Sequence, residues 1–94
     1  MEIYEVASAL SDRTRLRLID IVDEEGPVSS KRAHEEFVSR HDDRRRESVY
    51  KALEKLVDAG VLTKTYEREG EGLVYKLSYE RVVIDLHEMD VQTE

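Results

Sequence analysis

Three successive stretches of the chain carry apolar residues at helical spacing, which predicts three helices. The first covers residues 1–10. The second covers residues 13–24, and the glycine and proline at residues 26–27 are expected to end it. The third covers residues 29–40, and one of the two serines at its start is the expected N-cap. The second helix is dense enough in apolar residues to be the buried centre of the fold, with an expected core set of Leu16, Leu18, Ile19, Ile21 and Val22.

A fourth helix is predicted over residues 44–59, after the charged turn sequence HDDRRRE. Asp42 or Asp43 is expected to accept hydrogen bonds from the free amides of its first turn, and Gly60 is expected to end it. Its apolar residues recur at helical spacing, which places them on one buried face. They are Val49, Leu53, Leu56 and Val57.

The last third of the chain first changes to alternating periodicity. Residues 61–78 alternate apolar and polar side chains around a glycine-containing turn, which predicts a β-hairpin. The side chains expected to face inward are Leu73, Tyr75 and Leu77. Residues 80–91 return to helical spacing and predict a last helix. The predicted fold is mostly α with a small β-hairpin: one winged helix-turn-helix domain over residues 1–94, in the order α-α-α-α-β-β-α.

Composition restricts the class of protein. The chain has no cysteine, which excludes disulfides and thiolate metal sites and fits a reducing compartment. With 94 residues, of which 39% are hydrophobic, it can build one core. No apolar run is long enough to span a bilayer, and the charged N-terminus is unlike a signal peptide. We therefore expect a cytoplasmic protein with no membrane partner.

The net charge of −7 is unevenly distributed along the chain. Residues 1–27 and residues 61–94 each carry −4, whereas residues 28–60 carry +1 and include three consecutive arginines. The 22 acidic residues are typical of salt-adapted, haloarchaeal proteins, which stay soluble through dense surface carboxylates. An acidic total therefore does not exclude a nucleic-acid partner, whose phosphates require only a local group of cations.

Two stretches resemble known transcriptional regulators. ALSDRTRLRLIDIV resembles the opening of the ArsR-like regulators, and SVYKALEKLVDAGVLTK resembles the recognition helix and first wing strand shared by ArsR-like and PadR-like regulators. Residues 49–53 are closer to the PadR-like pattern. The resemblance implies that helix 44–59 lies in the DNA major groove and that the protein is a sequence-specific, dimeric regulator. We expect a repressor from an archaeon or an archaeal virus or plasmid.

The residues expected to contact double-stranded DNA lie on the outward face of helix 44–59 and on the wing. Arginine can pair with guanine or bind phosphate, and serine can bind a base edge or the backbone. The predicted set is Arg44, Arg45, Arg46, Ser48, Tyr50, Lys51, Lys55, Lys64 and Arg68. The wing tip, residues 67–72, is acidic where DNA-binding wings are usually basic, so only its arginine, helped by Lys64, could reach a minor groove.

Some polar residues have two interpretations. Tyr50 either contacts a phosphate or packs against Phe37 or the wing. Residues 13–15 either contact phosphates or form ion pairs with Asp12 or Glu2. The histidines have no ligand spacing and are expected at the surface; they are His34, His41 and His87.

Metal sensing and catalysis lack their usual residues. The cysteine pair of ArsR-like metal sensors is missing, and residues 85–87 match only the first half of a C-terminal metal site, so we predict no metal or other cofactor. There is no phosphate-binding glycine loop and no cysteine nucleophile. We therefore predict that the protein is not an enzyme.

Both ends of the predicted fold carry apolar stripes that are more than a small core needs, which favours a homodimer. The expected dimerisation residues are Ile3, Tyr4, Val6, Leu10, Val82, Val83, Leu86 and Met89. A two-fold dimer would place two recognition helices about one DNA turn apart, roughly 34 Å. The rival hypothesis is a winged-helix module that binds a protein partner and not DNA. A nonspecific architectural DNA binder is disfavoured by the low basic content, because such binding is mostly electrostatic.

Overall fold

Four helices are followed by two antiparallel hairpins in the computed structural model, which describes residues 2–70 and 72–94. The helices are α1 (Ile3–Ala9), α2 (Arg13–Glu25), α3 (Ser30–Arg40) and α4 (Arg46–Asp58). The strands are β1 (Leu62–Glu67), β2 (Gly72–Leu77), β3 (Val82–Asp85) and β4 (Asp90–Thr93). The first hairpin, β1–β2, is the wing. The predicted winged-helix fold is confirmed, but the predicted last helix is replaced by β3 and β4.

The starts and ends of α2 and α3 follow from their flanking residues. The Asp12 carboxylate accepts a hydrogen bond from the Arg15 amide, and the Ser29 hydroxyl accepts one from the Arg32 amide, both at 3.0 Å. Gly26 ends α2 with a φ of 75°, a backbone conformation that favours glycine. The end of α2 at Gly26 and the N-cap of α3 at Ser29 agree with the sequence prediction.

The start of α4 differs from the prediction. Arg45 is the N-cap, its backbone is extended, and its side chain makes no capping hydrogen bond. The expectation that Asp42 or Asp43 caps this helix is therefore wrong, because the extended segment before Arg46 carries both carboxylates away from the first turn. The helix begins two residues later than predicted, at residue 46 instead of 44.

The core lies between α2, α3, α4 and the base of the wing. Its largest fully buried side chains include Leu18, Ile21, Phe37, Leu53 and Leu56. Leu16 was expected in this core but is 49% exposed. At about 100° per residue, Leu16 points roughly 200° away from Leu18, so the two cannot share one face of the helix.

α1 contributes more to the core than expected. Val6 and Ala9 are fully buried, and Leu10 packs against the core. Val6 is therefore wrong as a dimerisation residue, because its side chain is fully used within the protomer, whereas Leu10 is only half-buried. Tyr4 is largely exposed and Ile3 is half-buried, so these two still have surface to offer a partner.

The wing is anchored to the helices at its base. Val28 extends its sheet by one bridge, with backbone hydrogen bonds of 3.0 and 2.8 Å to Tyr75. Tyr75 is buried and Leu77 is half-buried, as predicted. Leu73 was predicted to face inward but is exposed, because it lies near the hairpin tip, beyond the helices. Val74 was predicted to face outward but is buried, because β2 also packs against α2 and α3.

The helix predicted over residues 80–91 is wrong. The β-branched run at residues 82–84 favours a strand over a helix. The Asp85 carboxylate then accepts hydrogen bonds from the backbone N–H groups two and three residues ahead, both at 2.9 Å, which stabilises a turn. Met89 closes this turn with a φ of 55°. β3 and β4 pack chiefly on each other.

Within residues 2–70 and 72–94, no helix has both the length and the apolar content needed to cross a membrane.

Candidate nucleic-acid interface

The turn between α3 and α4 is fixed by a histidine. The His34 Nε2–H group donates a hydrogen bond of 2.6 Å to the carbonyl oxygen of Arg44. This bond ties the residue before the N-cap of α4 to the middle of α3. The sequence predicted an isolated surface histidine, and nothing in its spacing indicates this contact, because the turn places Arg44 beside it only in three dimensions.

Arg44 is partly held by its neighbours. Its Nε–H donates to Asp42 Oδ1 at 3.2 Å, and its guanidinium carbon lies 5.9 Å from the centre of the Phe37 ring. The ring of His41 also packs against the Phe37 ring, and their centroids are 5.2 Å apart. Arg44 therefore stabilises the turn, and its charge is already partly compensated.

Arg45 and Arg46 differ from Arg44, because both side chains are exposed and neither forms an ion pair or a hydrogen bond with another described residue. In the described part of the chain, no carboxylate lies within 4.0 Å of either guanidinium. They stand at the N-terminus of α4, where the first-turn amides have no side-chain cap. This end of α4 therefore combines two free guanidinium groups with the positive end of a helix dipole.

The exposed face of α4 continues the basic surface. Ser48, Lys51 and Lys55 are exposed and line one groove with Arg44 and with the start of α2, which contributes its N-cap residue 12 and residues 14 and 15. Lys51 pairs with Glu47 at 3.2 Å, but both side chains are more than 70% exposed, so this pair is weak. The predicted outward face of the helix is thus brought together as one surface.

Arg15 has a structural role that the sequence left open. Its Nε–H donates to the carbonyl of Ala9 at 2.7 Å, and its Nη2 donates to the carbonyl of Ser8 at 3.1 Å. A longer ion pair to Asp12 measures 4.0 Å. Arg15 therefore caps the C-terminal carbonyls of α1 and is not free to bind phosphate, whereas Arg13 is exposed.

Lys64 is drawn into a polar cluster between α4 and the wing. Its Nζ donates to both carboxylate oxygens of Glu54 at 3.0 Å, and the Tyr75 hydroxyl donates to the same carboxylate at 2.6 Å. The hydrogen bond from Tyr75, followed by those from Lys64, lowers the pKa of Glu54. Burial, together with the Glu54 hydrogen bond, raises the pKa of Tyr75. We name these three residues the wing clamp.

The wing clamp changes the candidate set in two ways. Lys64 was predicted to contact DNA, but its charge is held by Glu54, so we remove it from the candidate interface. Glu54 and Tyr75 are absent from the predicted set, because helical periodicity shows only that residue 54 follows a buried leucine. The pairing depends on the register that places Lys64 opposite Tyr75 across the wing.

The two remaining predicted residues lie at the edges of the surface. Tyr50 is exposed on α4, about one helical turn before Glu54 of the wing clamp. Its position suits a phosphate contact or packing against the wing, so both interpretations remain. Arg68 is exposed at the wing tip between Glu67 and Glu69, which offset its charge.

Two solved structures share the fold. The ferric uptake regulator of Vibrio cholerae, a protein with DNA-binding domains, matches with a TM-score of 0.63 and 20% sequence identity over 88% of this chain and 66% of that one. The ferric uptake regulator from Pseudomonas aeruginosa, solved with manganese, matches with a TM-score of 0.65 and 16% identity over 100% of this chain and 75% of that one. The chain thus spans just under two thirds of the Vibrio protein. No protein-family model and no curated protein sequence matches it.

The described residues contain no group of side chains suited to a metal ion. Within residues 2–70 and 72–94, no three His, Asp or Glu side chains lie close enough together to hold a metal ion. His34 donates its Nε2–H to a backbone carbonyl, and the Asp85 carboxylate is occupied by turn amides. The residues described here therefore do not fit a metal centre.

Proposed function

We propose that the protein is a sequence-specific DNA-binding transcriptional regulator that inserts the N-terminal half of α4 into the major groove. The observation that carries this proposal is the pair of unengaged arginines, Arg45 and Arg46, at the uncapped start of a helix in a winged-helix frame. An α-helix fits the major groove, and its first residues reach the base edges. The fold likeness to regulators with DNA-binding domains supports the same function.

The proposed contacts divide into two groups. Arg45, Arg46 and Ser48 are placed to read base edges, while Lys51 and Lys55 are placed to bind the phosphate backbone along the groove that α4 forms with α2. Lys64 is left out, and Arg68 contributes little because two glutamates flank it. A single protomer therefore has few cations to offer.

A homodimer would double this small set of contacts. The C-terminal hairpin suits such an interface, because Val83, Ile84, Leu86 and Met89 are all exposed. An isolated two-stranded hairpin is only marginally stable in water, so a partner that covers its apolar side chains would stabilise it. We propose a dimer that brings two α4 helices to successive major grooves and represses transcription by occupying its operator.

The finer features of this proposal come from the sequence. The ArsR-like and PadR-like resemblance, a non-enzymatic role and a haloarchaeal, cytoplasmic setting remain proposals. In a salt-rich cell the phosphate contacts would be weakened by counterion competition. Base-edge contacts from Arg45 and Arg46 would then carry a larger share of the affinity.

The decisive experiment starts with selection of bound sequences from random DNA at two salt concentrations. The variant Arg45→Ala/Arg46→Ala should then lose binding to the selected operator, because each arginine contact to a base contributes about 1–3 kcal/mol. Lys31→Ala/Lys76→Ala removes the same charge from exposed positions outside the proposed interface and should bind nearly as the parent protein does. Unchanged operator affinity in the first variant, at matched salt, would exclude α4 as the reading helix.

A rival function is favoured by the acidic wing. If no sequence is enriched from random DNA at either salt concentration, the protein is better described as a protein-interaction module.

A further inference from the structure

The segment that leads into α4 has few backbone contacts of its own. In the described part of the chain, none of the backbone amides of residues 42–44 donates to a backbone carbonyl. Arg45, the N-cap of α4, accepts a hydrogen bond of 3.2 Å from the Val49 amide, but its side chain makes no capping bond. A segment without backbone pairing keeps one conformation only if other contacts offset its conformational entropy. Side-chain contacts must therefore hold this segment in place.

His34 supplies such a contact from a fixed position. It lies in α3, directly after Ala33 and about one turn before Phe37, and both of these neighbours are fully buried. Its hydrogen bond to the Arg44 carbonyl therefore anchors the segment to a helix that is itself held by the core. His34 also lines one shallow pocket with Arg45, so the two residues are close in space.

The carbonyl that accepts this bond belongs to the peptide unit between Arg44 and Arg45. A peptide unit is planar, so a fixed carbonyl direction also fixes the direction of the Arg45 N–H group. Arg46 is the first residue of α4 and is oriented by the helix, whereas Arg45 precedes it and has an extended backbone. The orientation of Arg45 therefore depends more on His34 than the orientation of Arg46 does.

Base reading by arginine is sensitive to this orientation. An arginine that pairs with guanine makes two parallel hydrogen bonds, and this fork geometry tolerates little misplacement. A lysine acts on phosphate as a point charge and depends much less on direction. A side chain that leaves a rigid backbone also loses less conformational entropy when it binds. A loosened turn should therefore reduce sequence discrimination more than general affinity for DNA.

We propose that His34 is a positioning residue that aims Arg45 at a base edge through the Arg44 carbonyl. In this role it acts through the turn and not by its own contact with DNA. The inference rests on the proposed function, and it assigns part of the sequence specificity of α4 to a side chain on the neighbouring helix.

The first test compares variants of the full chain without DNA. His34→Leu keeps an apolar body but loses the donor, whereas His34→Gln keeps an N–H donor at a similar reach. Nitrogen relaxation should show the order parameters of residues 44 and 45 falling from about 0.85 toward about 0.6 in His34→Leu and staying near their parent values in His34→Gln. Ser39→Leu, at an exposed position of the same helix, is the control and should leave them unchanged.

The second test measures binding to the selected operator and to unrelated DNA of equal length at the same salt concentration. His34→Leu should bind the operator about threefold to tenfold more weakly, the size of one lost hydrogen bond. It should bind unrelated DNA within about twofold of the parent protein, because that binding depends on phosphate charge. His34→Gln should restore most of the operator affinity.

A double-mutant cycle connects the effect to Arg45. Adding His34→Leu to Arg45→Ala should weaken operator binding by less than about twofold, because the side chain that His34 aims is already missing. Adding it to Arg46→Ala should cost the full factor of about three to ten, since that arginine is oriented by the helix.

Several results would overturn the inference. Unchanged order parameters in His34→Leu would show that the bond does not hold the turn, and a His34→Gln variant that behaves like His34→Leu would show that the donor is not what matters. Equal weakening toward operator and unrelated DNA would mean a loss of general affinity. Equal coupling of His34 to Arg45 and Arg46 would remove the assignment to Arg45. The order parameters are measured without DNA, so this failure is distinguishable from failure of the proposed function, in which the parent protein would enrich no operator.

Discussion

The two hairpins share antiparallel pairing but differ in how they are attached to the molecule. The wing buries Leu62, Val74 and Tyr75 against the helices, bridges to Val28 and is joined to α4 through the wing clamp. The C-terminal hairpin has no buried residue anywhere in residues 79–94. Its cross-links are internal, such as the backbone pairing and ion pair between Arg81 and Glu94.

The wing therefore completes the fold of the protomer, whereas the C-terminal hairpin keeps apolar side chains exposed and available to a partner. The wing is fixed in position, so its exposed face is a surface of defined shape. The C-terminal hairpin holds its shape through backbone pairing and turn geometry, which alone give marginal stability. Its exposed apolar residues therefore gain most from a second protein molecule.

Truncating Tyr75 should produce the largest effect. Tyr75→Ala removes a buried ring and leaves Glu54 without one of its donors, so we expect a loss of about 3–5 kcal/mol in the free energy of unfolding. Ile84→Ala, in the other hairpin, should cost less than about 1 kcal/mol because Ile84 is already partly exposed. Chemical denaturation of both variants tests this, and equal losses would remove the distinction between the hairpins.

Breaking the wing clamp at Glu54 should have a smaller effect. Glu54→Gln removes the charge that pairs with Lys64, and we expect a loss of about 1–2 kcal/mol at neutral pH, reduced because the carboxylate is partly solvated. Glu47→Gln, which breaks an exposed pair on the same helix, is the matched control and should leave the unfolding free energy unchanged within error. A similar loss in both variants would show that the clamp has no special role.

The clamp also makes a signed prediction for pH. The pKa of Glu54 is lowered on folding, so its stabilisation is complete above the unfolded pKa of about 4.3 and is lost as the pH falls through the lower folded value. The difference in unfolding free energy between the parent protein and Glu54→Gln should therefore shrink in acid, below about pH 4. A difference that stays constant down to pH 2 would contradict the assignment of the loss to this carboxylate.

The sequence predicted the four helices well and the last hairpin wrongly. Both outcomes follow from relying on hydrophobic periodicity. Residues 49–57 have a periodicity that only a helix satisfies, so α4 was predictable. Val82, Val83, Leu86 and Met89 also fall at helical spacing, but the β-branched run and the Asp85 turn outweigh that spacing. Periodicity without local turn chemistry was insufficient there.

The candidate interface was predictable only in part. Arg45 and Arg46 stand out in the sequence because nothing nearby compensates them. The contacts of Lys64 with Glu54 and of His34 with Arg44 join residues ten apart along the chain, across a turn or between elements. Such pairings depend on how the helices and strands are arranged in space and on the strand register. A local sequence pattern predicts neither.

Relieving the strained turn should make the C-terminal hairpin more stable and so reduce its difference from the wing. Met89 has a φ of 55°, which costs an L-residue about 1 kcal/mol, so Met89→Gly should slow hydrogen exchange of the β3–β4 amides. Glu88→Gly, in the same turn but without positive φ, should instead speed exchange, because glycine there adds only chain entropy. Identical exchange in the two variants would show that the turn does not limit the stability of this hairpin.

Leu86→Ser should have the smallest effect on the free energy of unfolding of the protomer, but it should clearly weaken dimerisation. Leu86 is 76% exposed, so its loss should change the free energy of unfolding of the protomer by less than about 0.5 kcal/mol. In a two-fold dimer the same side chain is buried twice, so the dissociation constant should rise at least about tenfold. Sedimentation velocity across a concentration series measures this, with Tyr66→Ser on the wing as the control. If Leu86→Ser dimerises like the parent protein, the dimer interface does not include this turn, and the exposed side of α1 around Ile3 and Tyr4 becomes the surface to test.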